Sequence, residues 1–60
     1  MNDSISDLSV LELIVLENAL QRAINAGSAD RDSFPGQHLP QLNRLIAVVR
    51  MTAAAKEVLS

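Results

Sequence analysis

A single run of turn-forming residues divides this chain into two apolar segments, and that division constrains the fold more than any other feature. Residues 27–37 hold both glycines and one of the two prolines, together with two serines and two aspartates. Such a composition is typical of a connecting loop. Two helical segments joined by a loop of this kind pack antiparallel. The sequence therefore predicts one all-α domain over residues 1–60, an antiparallel two-helix hairpin.

The start of the first helix has a clear signal. Ser9 and Glu12 have the spacing of a capping box, in which each side chain binds the other residue's backbone amide. Gly27 is expected to end the helix as a left-handed cap. We therefore predict the first helix over residues 9–26, with an alternative earlier start at Ser4.

The second helix is predicted over residues 39–58. Pro40 has no N–H group and fits only the first turn of a helix, so the helix must begin close to it. In the preceding loop, Pro35 and Gly36 are expected to form a turn, and Phe34 is expected to fold back over the closed end of the hairpin.

Helical periodicity divides the apolar side chains into two sets. The set predicted to form the seam between the helices contains Leu13, Leu16, Leu20, Ala23 and Ile24 of the first helix and Leu42, Leu45, Ile46, Val49 and Ala53 of the second. A further set lies away from the seam and contains Leu8, Leu11, Ile14, Val15 and Ala19 of the first helix and Val48, Met51, Ala55, Val58 and Leu59 of the second. One partner helix cannot cover both sets.

Charges are distributed in a way that suits the antiparallel arrangement. The first helix is mainly acidic and the second mainly basic. Two ion pairs between the helices are predicted, Glu17 with Arg50 and Glu12 with Lys56. Exposed pairs of this kind contribute only ~0.2–1 kcal/mol each, so they favour an orientation without holding the fold.

The apolar surplus is expected at the open end of the hairpin, where the first helix begins and the second ends. A chain of 60 residues without cysteine has few other sources of stability, because its core is small and no disulfide is available. A patch of this size is typical of an interaction site. We therefore predict a partner-binding surface formed by Leu11, Ile14, Val15, Val48, Met51, Ala55, Val58 and Leu59. Its occupant is either a partner protein or a second copy of the chain.

Other function classes have little support in the sequence. His38 is the only histidine, and with no cysteine present neither a zinc site nor a catalytic constellation is expected. Asp30 and Asp32 begin like a calcium loop, but Phe34 and Pro35 then break that pattern. We predict no enzyme activity, no cofactor and no metal.

Binding to nucleic acid or to a membrane is not expected either. The formal charge is −2, and the five basic residues do not form the basic surface that nucleic-acid binding requires. A DNA-reading helix-turn-helix would need a shorter turn and a more basic second helix. The longest apolar runs are far below the roughly 20 residues that cross a bilayer. The N-terminal residues lack the basic character of a secretory signal. We expect a cytoplasmic protein.

The order of these features resembles one known family. An aliphatic helix, a loop with Gly and Pro, the residues QHLPQL at 37–42 and an Ala-rich second helix resemble the small helical-hairpin co-chaperones of type III secretion needle subunits. The resemblance covers roughly residues 10–59 and rests on architecture and spacing. It implies a hairpin that joins a second chaperone and keeps the needle subunit soluble. The alternative is a subunit of a homo-oligomeric helical bundle. Such a subunit would be either structural or regulatory, like Rop or the small regulators of phages.

Overall fold

The fold is an all-α hairpin closed by a short third helix. A computed structural model describes residues 5 and 7–59, and within them the helices are α1 (Val10–Ala29), α2 (Phe34–Gln37) and α3 (Leu39–Leu59). The two long helices pack against each other, and α2 contacts both of them. We call the end that holds α2 the closed end, and the end where α1 begins and α3 finishes the open end. The predicted fold class is confirmed.

The capping box at the start of α1 is formed as predicted. The backbone N–H of Ser9 donates to Oε1 of Glu12 at 2.8 Å, and the N–H of Glu12 donates to Oγ of Ser9 at 3.1 Å. Together these bonds satisfy two of the amides that a helix start leaves without partners inside the helix. The alternative start at Ser4 lies outside the described residues.

The predicted end of the first helix was wrong. Gly27 is not a left-handed cap: α1 continues through it to Ala29, and no described glycine has a positive φ. The helix ends at Asp30, whose backbone is extended and whose N–H donates to the carbonyl of Ala26. Gly27 is instead required by packing, since a Cβ atom there would lie 2.8 Å from the backbone of Pro35 and Gly36.

The segment predicted as loop 27–37 contains α2, which replaces the expected turn. The Ser33 hydroxyl caps α2 by accepting from the N–H of Gly36 at 3.1 Å. Phe34, at the first position of α2, does not fold over the closed end; 78% of it is exposed. Its ring lies 4.6 Å from that of His38, which is half-buried between α2 and α3.

The core lies along the predicted seam. Leu13 and Val49 are fully buried, and Leu20, Ile46 and Ala53 complete the buried cluster. Half-buried side chains of Leu16, Ile24 and Leu42 pack against it. Two assignments were wrong. Leu8, placed in the outer set, packs on the core, and Leu45, placed in the seam, is 36% exposed at its edge.

The start of α3 agrees with the prediction. Pro40 is the second residue of the helix, where its missing N–H leaves no hydrogen bond unmade. The backbone of Leu42 donates to the carbonyl of His38 at 3.0 Å, so the helical hydrogen bonding begins directly after α2. At its other end α3 continues to Leu59, one residue beyond the predicted limit of 58.

Candidate protein-binding surface

All eight predicted surface residues are exposed. The larger side chains have exposed fractions of 70% for Leu11, 42% for Ile14, 61% for Val15, 42% for Val48, 73% for Met51, 85% for Val58 and 86% for Leu59. Ala55 is exposed as well. Scattered apolar residues are normal on protein surfaces, whereas contiguous ones mark interaction sites. Which of these residues share a face is therefore the decisive question.

A polar bridge between the long helices identifies one broad face of the hairpin. Nε of Arg50 donates to Oε2 of Glu17 at 3.0 Å, which forms the predicted ion pair. Nη2 of the same Arg50 side chain donates to Oε1 of Gln21 at 3.0 Å. We call this side the Arg50 face.

The buried residues show on which broad face each exposed residue lies. The residues directly before and after a buried residue project about 100° to either side of it. Val49 is fully buried, so Arg50 and Val48 project to opposite faces. On α1, Leu20 is buried beside Gln21, and Ala19 therefore lies on the side away from Arg50. Val48 and Ala19 share one face of the hairpin.

We call this second broad face the Val48 face. Residues three, four or seven positions from Val48 or Ala19 lie beside them on the same helix. By this rule the face comprises Glu12, Val15, Leu16, Ala19, Arg22, Ala23 and Ala26 of α1 and Gln41, Arg44, Leu45, Val48, Thr52 and Ala55 of α3, with Met51 and Leu59 at its margins.

The structure therefore divides the predicted patch. Val15, Val48, Met51, Ala55 and Leu59 come together on or beside the Val48 face. Ile14 lies with Glu17 and Gln21 on the Arg50 face. Leu11 and Val58 project from the outer sides of their helices.

The predicted binding surface did not include Ala19, Leu16 or Leu45. Ala19 and Leu45 are exposed and Leu16 is half-buried. A signal was present for two of them, since Ala19 lies four positions from Val15 and Leu45 three positions from Val48; Leu16 in turn lies three positions from Ala19. The predicted pair of Glu17 and Arg50 also carried the information needed to separate the two faces.

Charged groups on the Val48 face lie at its ends. Glu12 is beside its open end, and Arg22 and Arg44 are beside its closed end. Glu12 does not pair with Lys56 as predicted, because its carboxylate accepts the backbone N–H of Ser9. That hydrogen bond, with a smaller contribution from the Ser9 side chain, lowers the pKa of Glu12 below its ordinary value. Between these ends the face presents aliphatic side chains and one hydroxyl.

The remaining chemistry of the described residues is sparse. No group of three or more acidic or histidine side chains among them is arranged to hold a metal ion, and they line no pocket. The Asp30 carboxylate accepts the N–H of Asp32 at 3.1 Å and so serves the local turn. Neither α1 nor α3 combines the length and apolar character needed to cross a membrane.

Comparison with protein families, with curated proteins and with solved structures gives no match to this chain.

Proposed function

We propose that this protein is a helical protein-binding module that covers an amphipathic helix of another chain. The observation that carries the proposal is the Val48 face, which displays aliphatic side chains from two adjacent helices with no charge between Glu12 at its open end and Arg22 and Arg44 at its closed end. Two parallel ridges of side chains offer a groove in which a third helix can lie. An apolar stripe on that helix would replace water along the groove.

The form of the surface favours an aliphatic partner. The face includes Ala19 and Ala55, which permit close approach of a helix backbone. The described residues line no pocket into which a large aromatic anchor could insert. Interfaces built on such anchors are organised around pockets, whereas helix packing uses shallow ridges and grooves.

The co-chaperone role implied by the family resemblance is one form of this proposal. A chaperone of that kind would hold an apolar helix of its client until assembly, in the cytoplasm where we expect the protein. The alternative is a homo-oligomeric bundle, in which the helix covered belongs to a second copy. Both forms use the same surface.

A charge placed on the Val48 face or at its margin should abolish association and leave the hairpin folded. In Val15→Asp and Met51→Asp, the carboxylate costs little in water but several kcal/mol when buried without a partner, on the order of 2–7 kcal/mol for polar groups in general. We expect both variants to keep their helical circular dichroism and to lose association, measured by sedimentation or by binding to a purified partner.

Ile14→Asp is the matched control, because Ile14 is 42% exposed and lies three residues from Glu17 on the Arg50 face. It should associate like the parent protein. If Val15→Asp and Met51→Asp associate as tightly as Ile14→Asp does, the proposed surface is not the binding surface.

A further inference from the structure

The two ends of the Val48 face carry opposite charges of unequal size. At the closed end, Arg22 of α1 and Arg44 of α3 are both exposed and supply two positive charges. At the open end, Glu12 supplies one negative charge, and its carboxylate already accepts the backbone N–H of Ser9. A helix that covers the aliphatic part of the face therefore meets a basic environment at one end and an acidic one at the other.

The two arginines flank the same stretch of the groove between α1 and α3. Arg50 donates to both Glu17 and Gln21, so it lies level with that turn of α1. Because the helices are antiparallel, Arg44 is level with the turn of α1 that directly follows Arg22. Measured along the hairpin axis, the two arginines are within about 8 Å of each other, one on each side of the groove.

Neither arginine has a carboxylate partner among the residues that the structure describes. No acidic residue lies three or four positions from Arg22 or Arg44, where a helix brings side chains together. Neither side chain pairs with another described residue, and the ion pair between the long helices uses Arg50 and Glu17 instead. In a chain of net charge −2 with seven acidic residues, the closed end of the face is thus locally positive.

The guanidinium group is well suited to a carboxylate on another chain. Its planar N–H donors match the two oxygens of a carboxylate, which the single ammonium group of lysine does not. Glu12 has the opposite effect at the open end, since its negative charge disfavours a second carboxylate there. Complementary charges of this kind select a partner and determine its orientation more than they add affinity. They favour a covering helix with carboxylates at the closed end only.

We infer that the partner helix covered by the Val48 face is acidic at one end. Its carboxylate side chains lie between Arg22 and Arg44, and its aliphatic stripe lies along the groove toward Glu12. The inference rests on the proposed function, and it adds the chemistry of the partner and the direction in which the partner lies on the face.

Three synthetic peptides of about 18 residues, each able to form a helix of roughly 27 Å, provide the test. All have the same stripe of leucine and alanine, and their first turns carry two glutamates, two glutamines or two lysines. Binding to the parent protein is measured by fluorescence anisotropy. We expect the glutamate peptide to bind about 10-fold more tightly than the glutamine peptide, and the lysine peptide to bind most weakly. Added salt should reduce these differences.

Variants of the two arginines separate their effect from helix stability in the peptide, because glutamates in a first turn also stabilise the helix that carries them. Arg22→Gln and Arg44→Gln should each weaken binding of the glutamate peptide by about 3-fold and leave binding of the glutamine peptide unchanged. Arg31→Gln is the matched control: it removes the same charge from an exposed residue in the turn after α1 and should bind like the parent. Circular dichroism verifies that each variant is folded.

The possible failures are distinguishable. If the double variant Arg22→Gln/Arg44→Gln prefers the glutamate peptide as strongly as the parent does, the inference is overturned. If the parent binds all three peptides equally and Val15→Asp binds none, the inference fails and the proposed function stands. If no peptide binds and the parent sediments as a dimer that Val15→Asp does not form, a second copy occupies the face and the inference fails. If no peptide binds and the parent is a monomer, both fail.

Discussion

Leu13→Ala should unfold the hairpin more readily than any surface change, with an expected loss of about 2–5 kcal/mol in the free energy of unfolding. Leu13 is fully buried and belongs to the cluster that joins α1 to α3. Truncation removes its burial and leaves a cavity that the helices cannot fully close. Because small domains have little stability to lose, the free energies of unfolding of the variant and its parent are measured by urea titration at low temperature.

Leu11→Ala is the matched control, since it removes the same atoms two positions earlier in the same helix, at a residue 70% exposed. Its free energy of unfolding should change by no more than about 0.5 kcal/mol. Equal losses for the two variants would contradict the seam described above.

Gly27→Ala should destabilise the protein although helix propensity predicts the opposite. Alanine in a helix interior is favoured over glycine by roughly 0.8–1 kcal/mol. The Cβ atom, however, would lie 2.8 Å from backbone atoms of Pro35 and Gly36, which cannot rotate away as a side chain could. We expect a net loss of about 1–3 kcal/mol, as for overpacking in a core.

The neighbouring exposed position supplies the control for this change. Ser28→Ala, also in the last turn of α1, should be neutral or slightly stabilising, measured by the same urea titration. Gly36→Ala should be destabilising too, since its Cβ would meet the Asp30 carbonyl and lie 2.6 Å from the Cα of Arg31. A gain in stability for Gly27→Ala would mean that α2 does not pack closely on α1.

Local signals were sufficient for the starts of the two long helices. The capping box of Ser9 and Glu12 depends on residues three positions apart, and the position of Pro40 restricts where α3 can begin. The seam followed from periodicity, because on each helix one apolar row extends toward the connecting loop, whereas the further apolar set lies toward the open end. The Glu17–Arg50 pair followed from antiparallel packing.

The closed end could not be predicted in the same way. The residues around Gly27 predict a helix end there. Its actual role is to allow close packing against the backbone of α2, eight or nine residues later in the chain. The exposure of Phe34 has the same origin: the Ser33 cap places it in the first turn of α2, where its ring contacts His38 and not the core.

The candidate surface was predicted in composition but not in arrangement. Every residue assigned to it is exposed, because apolar side chains beyond the seam have no other element to cover them. Ile14 was nevertheless grouped with Val48, since periodicity alone does not say which sides of two helices point the same way. The hydrogen bonds from Arg50 to Glu17 and Gln21 resolve this.

The concentration dependence of unfolding tests most directly whether another chain completes this hairpin. Thermal unfolding of the parent protein is followed by circular dichroism at low micromolar and at several hundred micromolar concentration. Association with folded chains stabilises them by mass action, so we predict a midpoint that rises with concentration. A single cooperative transition with the same midpoint at every concentration, from a protein that sediments as a monomer, would contradict the account.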